Sequence, residues 1–176
     1  PLECATTATL QPRRERTIEI VPLRAGHAAR FAMSLDELLT GELRDPERLT
    51  AWFGARAEDR WAAYVVGVAH ACLARHGSTR DDVGGFRLLI ESRVPEGKGV
   101  SSSAALEVAC LSAIAACYGV ELSGEETATA AQWAENHIAG APCGIMDQMT
   151  SACGRHDRLL RLRCQPGTVE GFVDIP

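Results

Sequence analysis

The sequence has few aromatic residues and no hydrophobic run of the length that a membrane span needs. Aromatic residues make up 5% of its 176 residues, and charged residues make up 23%. A membrane-spanning helix takes about 18 or more consecutive apolar residues, and every apolar stretch here is shorter. The first residues also lack the basic region and apolar run of a secretory signal peptide. We therefore expect a soluble globular protein that has no membrane partner.

A basic surface stripe and a paired-cysteine pattern are also lacking. The net charge is −5, and the 18 lysines and arginines are scattered along the chain, so the electrostatic footprint of a nucleic-acid binder is missing. The seven cysteines are an odd number and include no Cys-x-x-Cys pair. We expect reduced thiols in a cytoplasmic protein that binds no nucleic acid.

Hydrophobic patterning predicts one compact α+β unit over residues 1–176 with a single core. Alternation with a period of two predicts strands over residues 17–23, 86–94, 160–164 and 172–175. Helix start and stop signals predict helices from residue 46, over 61–76, over 102–118 and from 123 towards 137. Ser123 and Glu126 have the spacing of a capping box. A short helical turn is predicted after the loop at 141–144.

The predicted helix at 102–118 is small and apolar on nearly every side. Glu107 is its only charged residue, and Gly119 stands where a helix commonly ends. A helix of this composition is buried. It is therefore predicted to form the centre of the core.

A segment rich in glycine and serine joins the strand at 86–94 to this helix. Two glycines let a backbone approach an anion closely, and a following helix offers unpaired N–H groups. A tight turn with serine caps accounts for the glycines and serines alone equally well, although three serines exceed the need for one cap. A Walker loop does not fit, because Lys98 precedes Gly99, and a hydrolase elbow does not fit, because Ser103 occupies the place of its last glycine. The segment reads Pro95-Glu96-Gly97-Lys98-Gly99-Val100-Ser101-Ser102-Ser103-Ala104-Ala105.

This segment resembles the second motif of the GHMP kinases in its galactokinase form, and it departs from that motif only at Val100, where leucine is more usual. Residues 135–148 resemble the galactokinase segment with the proposed catalytic base, and residues 61–67 resemble the stretch beside the adenine pocket. Residues 164–176 are similar to the continuation in L-arabinokinases. The resemblance thus covers essentially the whole chain.

The resemblance implies a mixed β-sheet packed with helices, like the N-terminal, ribosomal-protein-like domain of GHMP kinases. It implies ATP and Mg²⁺ as cofactors and Asp147 as the catalytic base. Metal ligands would be Ser103 and Glu135, and the loop residues Cys143 and Gly144 would face the substrate with Asp147. The implied ATP-binding residues are Trp61, Tyr64, Gly97, Lys98, Gly99, Val100, Ser101, Ser102, Ser103 and Ala104.

Several of these residues also fit purely structural roles. Glu135 could be an exposed glutamate at a helix end, where the helix dipole disfavours it. Asp147 follows Ile145 and Met146 and precedes Met149, which predicts an apolar setting that a carboxylate tolerates only with a task or a partner; an acid favoured by a helix N-terminus is the alternative. Trp61 and Tyr64 could be core residues of one helix face, and Lys98 could point into solvent. Cys143 fits a small loop residue better than a nucleophile.

The resemblance implies a sugar kinase that phosphorylates the anomeric hydroxyl of a monosaccharide, either L-arabinose or galactose. A non-catalytic sugar and ATP sensor and a kinase for another small alcohol, such as mevalonate, are the alternatives. The first family motif and the C-terminal glycine-rich motif are not in these residues. We therefore expect the C-terminal half of the same kinase as a partner, and we expect these 176 residues alone to be inactive.

Overall fold

The computed structural model describes residues 4–23, 30–75 and 84–174, and within them it has a mixed four-stranded sheet, a separate hairpin and six α-helices. The strands are β1 (Thr6–Pro12), β2 (Thr17–Pro22), β3 (Phe31–Ser34), β4 (Phe86–Ser92), β5 (Arg158–Cys164) and β6 (Gly167–Asp174). The helices are α1 (Leu35–Leu39), α2 (Pro46–Gly54), α3 (Ala62–Arg75), α4 (Ser102–Tyr118), α5 (Gly124–Ala134) and α6 (Met146–Cys153). Short 3₁₀ turns lie at Glu42–Arg44 and Ala57–Asp59, and a π-helical turn, Glu135–Ala139, continues α5.

The four-stranded sheet has the order β1-β4-β2-β3, in which β2 and β4 are parallel and the two outer pairs are antiparallel. Alternate residues of its central strands, such as Ile18, Ile20 and Leu88, are fully buried, as the side-chain alternation of a strand requires. They belong to one hydrophobic cluster with residues of α3, α4 and α5. Helices thus cover one face of a mixed sheet, and the predicted α+β class is confirmed.

Helix α4 has the bounds that the sequence predicts and lies in the main core. Leu111 and Ile114 are fully buried, and Gly119 ends the helix at a φ of 66°, a left-handed conformation that glycine adopts without a Cβ clash. The prediction that this helix is buried on nearly all sides is wrong, because Ser112 and Cys117 are exposed. The small residues of α4 therefore indicate close packing along one side.

Polar caps begin two of the helices where the sequence predicts them. Asp45 accepts a hydrogen bond from the Glu47 N–H at 2.8 Å, and Pro46 occupies the first position of α2. The capping box of α5 is present, with the Glu126 N–H donating to Ser123 Oγ at 3.2 Å and the Ser123 N–H donating to the Glu126 carboxylate at 2.8 Å. These local contacts fix where α2 and α5 begin.

The hairpin of β5 and β6 lies outside the four-stranded sheet and packs on α5 and α6. Ala128, Ile145 and Met149 form a small second hydrophobic cluster beneath it, whereas the sequence predicts a single core. The Val169 N–H donates a hydrogen bond to the Glu125 carboxylate at 2.7 Å. This cluster connects the start of α6 to the hairpin.

The sequence patterns miss several short elements and misplace some boundaries. They do not predict β1, β3 or α1, and β6 begins at Gly167 rather than at residue 172. Strand β4 ends at Ser92, two residues before its predicted end. The predicted ends at His76 and Ile175 lie outside the described residues. Within the described ranges no helix is long and apolar enough to cross a membrane.

Gly67 lets α3 lie close to the end of α5. A Cβ at this position would be 3.0 Å from Ala134 Cβ and 3.1 Å from Ile138 Cβ. We expect Gly67→Ala to lower the free energy of unfolding by about 1–3 kcal/mol, because overpacking outweighs the gain in helix propensity. Urea denaturation measures this change.

The matched control is Gly54→Ala, because a Cβ on Gly54 at the end of α2 would meet no atom within 4 Å. This variant should be neutral or more stable than the wild type. Equal free energies of unfolding for the two variants would contradict the close-packing argument.

Candidate active site

The glycine-rich loop between β4 and α4 is largely exposed and has three residues in the left-handed conformation. Gly97, Gly99 and Ser101 have φ angles of 65°, 68° and 59°. No atom lies within 4 Å of a Cβ built on either glycine. The backbone conformation, and not crowding, therefore favours glycine at these two positions.

Helix α4 begins without a side-chain cap. Ser101 directly precedes the helix, and its side chain makes no capping hydrogen bond. The first helical hydrogen bond runs from the Ala105 N–H to the Ser101 carbonyl at 3.1 Å, so the N–H groups of residues 102–104 have no acceptor within the helix. The alternative of a tight turn with serine caps is therefore not supported at Ser101. The first turn of α4 thus presents N–H groups of the kind that bind anions.

A cavity of about 720 Å³ borders this loop, and we call it the aromatic cavity. Five of the predicted nucleotide-binding residues line it, namely Trp61, Tyr64, Gly97, Ser102 and Ser103. Trp61 also packs edge-on against Phe31, with ring centroids 6.5 Å apart. Core packing and cavity lining therefore both apply to Trp61. Lining residues that the sequence patterns did not single out include Ile90, Ser92, Arg93, Glu96 and Leu106.

A second hollow of about 520 Å³ borders the same loop, and we call it the acidic hollow because Asp147 lines it. The predicted loop residues Val100 and Ser101 line it as well, and Val94 lines both this hollow and the aromatic cavity. The glycine-rich loop thus contributes to the walls of both spaces. The remaining wall includes small apolar residues of α4 and hydroxyl residues of α6, namely Ala105, Val108, Ala109, Thr150 and Ser151.

Asp147 does not lie in the apolar setting that its sequence neighbours predict. Its side chain is exposed in the first turn of α6. Met146 is 59% exposed, and Met149 is fully buried in the second cluster. Successive side chains of a helix point about 100° apart, so apolar neighbours in sequence need not surround a residue. Asp147 is instead an acid at the N-terminus of a helix, the structural alternative named above. Its position there is at the acidic hollow.

Glu135 is buried next to a second buried glutamate, Glu107 of α4. Gln148 Nε2 donates a hydrogen bond to Glu135 Oε2 at 2.6 Å and another to Glu107 Oε2 at 3.3 Å. Glu135 is 6% exposed and Glu107 is 0% exposed. Among the described residues, neither carboxylate forms an ion pair with a basic side chain. The alternative of an exposed helix-end glutamate is therefore wrong for Glu135.

Burial and the charges of the two glutamates raise pKa values at this site. Burial, followed by the charge of Glu135, raises the pKa of Glu107 to about 9. Burial also raises the pKa of Tyr64, and the charges of Glu135 and Glu107 add to this effect. The pair is thus electrostatically coupled to a residue of the aromatic cavity. Sequence reasoning missed Glu107, and its signal was a lone acid in an apolar run, a residue type that is rarely buried without a partner.

Side chains of α5 and of the π-helical turn hold the loop at 140–144. Asn136 Oδ1 accepts a hydrogen bond from the Cys143 N–H at 2.7 Å, and Gln132 Nε2 donates to the Cys143 carbonyl at 3.2 Å. The Cys143 thiol donates to Glu135 Oε2 at 3.2 Å. Burial, with a contribution from this hydrogen bond, raises the pKa of Cys143 to about 11. A thiol that stays protonated supports the interpretation of Cys143 as a loop residue and not a nucleophile.

The remaining predicted residues do not share one space. Lys98 and Gly99 are exposed on the loop, and Ala104 is buried behind it. Neither the aromatic cavity nor the acidic hollow is lined by the predicted residues Lys98, Gly99, Ala104, Glu135, Cys143 and Gly144. Ser103, Glu135 and Asp147 therefore do not line one common space. Within the described part of the chain, no three His, Cys, Asp or Glu side chains are placed to hold a metal ion. A metal site here would need a different donor, such as the Ser103 hydroxyl.

The raised pKa of Glu107 predicts a pH-dependent cost of folding. Above pH 4.5, its ordinary pKa, the unfolded chain loses this proton, and the folded chain keeps it up to about pH 9. Stability therefore falls with rising pH in this window. We expect Glu107→Gln to have a higher free energy of unfolding than the wild type. The difference between the two proteins should increase by about 2–3 kcal/mol from about pH 5.5 to about pH 7.5.

Denaturation of both proteins in EDTA at the two pH values measures this difference, because titrating groups distant from Glu107 contribute equally in both proteins. A difference that stays constant with pH would show that Glu107 ionises alike in the folded and unfolded chain.

Known proteins resemble this chain in sequence and in fold. Arabidopsis thaliana L-arabinokinase is 44% identical over 155 residues, which are 86% of this chain and 14% of that protein. Lactococcus lactis galactokinase, solved in complex with galactose, superposes with a TM-score of 0.76 at 24% identity, over 99% of this chain and 40% of that one. Methanococcus jannaschii mevalonate kinase gives a TM-score of 0.65 at 20% identity, over 84% of this chain and 41% of that one. The two structural likenesses show a shared fold.

The chain therefore spans less than half the length of each of these relatives. The family profile described as the GHMP kinases N terminal domain matches residues 63–155, which are more than half of the chain and include the loop, Glu107, Glu135 and Asp147. The protein belongs to the GHMP kinase family.

Proposed function

We propose that this chain is the ATP- and sugar-binding part of a kinase that phosphorylates the anomeric hydroxyl of a monosaccharide, L-arabinose or galactose. The observation that carries the proposal is the glycine-rich loop, which lines both the aromatic cavity and the hollow that contains Asp147. A phosphoryl group transferred between two ligands must pass a point that both spaces share. The 44% identity to L-arabinokinase favours a sugar as the acceptor.

We also propose that residues 1–176 are the N-terminal domain of a longer kinase and that the C-terminal half of the same kinase is their partner. The chain covers 40% of the galactokinase and 14% of the L-arabinokinase. A cytoplasmic location, expected from the cysteine pattern, belongs to the same proposal.

The aromatic cavity is the proposed nucleotide site. Trp61 and Tyr64 offer ring faces for adenine, and both line the cavity together with Ser103. The backbone N–H groups of residues 97–104 would hold the β- and γ-phosphates, because two glycines expose the backbone and α4 contributes the positive end of its dipole. Lys98 could add a charge from the exposed loop.

The donor chemistry of the site fits Mg²⁺. Ser103 and Glu135 would hold the ion with oxygen atoms, which this hard cation prefers. The Gln148 amide and the Cys143 thiol both donate to Glu135 Oε2, and no amide, thiol or backbone N–H group of the described residues donates to Oε1. A bound Mg²⁺ would neutralise the negative charge that develops on the phosphate oxygens during transfer.

Asp147 is the proposed base. Its exposed carboxylate lines the acidic hollow beside Ser101, so a hydroxyl group placed there would lie between it and the loop. The carboxylate would take the proton of the attacking hydroxyl, or stabilise its departure as the loose transition state forms. Cys143 and Gly144, in the loop before α6, would support the acceptor from the side of Asp147.

An assay of ADP release from the intact protein tests the proposed function. With ATP and Mg²⁺ present, arabinose, galactose, glucuronate and mevalonate are compared as acceptors. We expect ADP release with arabinose or galactose, because the sequence relative at 44% identity is an L-arabinokinase. Release with mevalonate alone would refute the sugar assignment. No release with any acceptor, while sugar and ATP still bind, would favour a non-catalytic sensor.

The variant Asp147→Asn tests the base. It keeps the size and hydrogen-bonding ability of the side chain but removes its negative charge. We expect turnover to fall by about two orders of magnitude or more, the usual range for loss of a general base. The affinity for Mg-ATP, measured by calorimetry, should stay unchanged, since Asp147 does not line the aromatic cavity.

Glu135→Gln is the contrasting variant. It should weaken the apparent Mg²⁺ affinity, because the carboxylate charge supplies much of the attraction for a hard cation. Turnover of Asp147→Asn equal to that of the wild type would rule out the catalytic role of Asp147.

A further inference from the structure

Gln148 follows Asp147 in α6, but its side chain points into the protein. It is 0% exposed, and its Nε2 reaches the carboxylates of both Glu135 and Glu107. Its other polar atom, Oε1, is buried without a partner among the described residues. The unsatisfied atom of this buried amide has a desolvation cost, which the hydrogen bonds from Nε2 to two buried carboxylates offset. The role of glutamine at this position therefore lies in its contacts with these two carboxylates.

The hydrogen bonds to Glu135 are distributed unevenly over its two oxygens. Gln148 Nε2 and the Cys143 thiol both donate to Oε2, at 2.6 and 3.2 Å. Within the described residues, no amide, thiol or backbone N–H group donates to Oε1. Two donors on one oxygen fix the plane of a carboxylate and leave the lone pairs of the other oxygen for a further ligand.

We propose that Gln148 is a positioning residue for the divalent cation. It holds Glu135 by Oε2 so that Oε1 is directed to the metal, in the way that outer ligands orient metal-binding carboxylates. The inference rests on the proposed function, because it takes Glu135 as a ligand of the cation. Gln148 lines neither the aromatic cavity nor the acidic hollow, so it acts through Glu135 and not on either substrate.

The bridge to Glu107 gives Gln148 a fixed reference point. Glu107 is fully buried on α4, the helix whose first turn includes Ser103. Ser103 and Glu107 are four residues apart and lie on the same side of this helix. An amide that contacts Glu107 and Glu135 at once therefore sets the distance between the two proposed ligands, Ser103 and Glu135.

Titration of Mn²⁺ into the intact protein saturated with ADP, followed by electron paramagnetic resonance, tests the inference. In Gln148→Met the side chain keeps its length but loses the hydrogen bonds to the two glutamates and to the Cys143 sulfur. We expect the apparent Mn²⁺ affinity to fall about tenfold or more, as for other residues that orient metal ligands. We also expect kcat to fall while the KM for the sugar stays constant.

Met149→Ala is the matched control, because Met149 is the next residue of α6, is fully buried and contacts neither glutamate among the described hydrogen-bond partners. It should lower the melting temperature and leave the Mn²⁺ affinity unchanged. Gln148→Asn keeps the amide but shortens its reach by one methylene, and it should also lose Mn²⁺ affinity. This variant serves if Gln148→Met does not fold.

Three results would overturn the inference. Equal Mn²⁺ affinity in the wild type and in the folded Gln148 variants would overturn it alone and leave the kinase proposal intact. A loss of affinity in Met149→Ala equal to that in Gln148→Met would show a general effect of destabilising α6. Absence of Mn²⁺ binding in the wild type would overturn both the inference and the cation site on which it rests.

Discussion

Two buried carboxylates without a basic partner among the described residues determine how the candidate site is assembled. Removing a carboxylate from water is costly unless hydrogen bonds, a proton or a cation compensate it. Glu107 and Glu135 meet this requirement by sharing the amide of Gln148, and burial raises the pKa of Glu107 to about 9. The shared amide brings α4, the π-helical turn and α6 to one point. Because the glycine-rich loop leads into α4 and Asp147 lies in the first turn of α6, the acid pair also fixes these two parts relative to each other.

The glycine-rich loop allows one short segment to border two different environments. Gly97 contributes to the aromatic cavity, and Val100 and Ser101 contribute to the acidic hollow. Gly97, Gly99 and Ser101 have left-handed backbone conformations, which turn the chain within five residues. The chain then enters α4 without a side-chain cap. A loop that capped the helix itself would satisfy the N–H groups of the first turn and remove their attraction for an anion.

The sequence predicts the elements that local chemistry determines. The bounds of α4 follow from an apolar run between Ser102 and Gly119, and the start of α5 follows from a capping box that the structure retains. Strands β1 and β3 were missed because pairing with neighbouring strands, which a single sequence does not show, decides them. In the site, the loop motif indicated its position at the cavity, but Glu107 and Gln148 were missed. Their contacts join residues 41 positions apart, a separation beyond any helix or strand period.

The core and the site are connected through one close helix contact. Trp61 directly precedes α3, and Tyr64 lies in its first turn; both residues line the aromatic cavity. Glu135 directly follows the end of α5. Gly67 lies where α3 meets Ala134, which directly precedes the π-helical turn, and Ile138, which lies within it. Absence of a side chain at position 67 lets these backbones approach, and the approach brings Tyr64 within the electrostatic influence of Glu135 and Glu107. A wider separation of α3 and α5 would move the cavity wall away from the carboxylate pair. The distance between the proposed adenine site and the proposed cation ligand is therefore set by packing in the core.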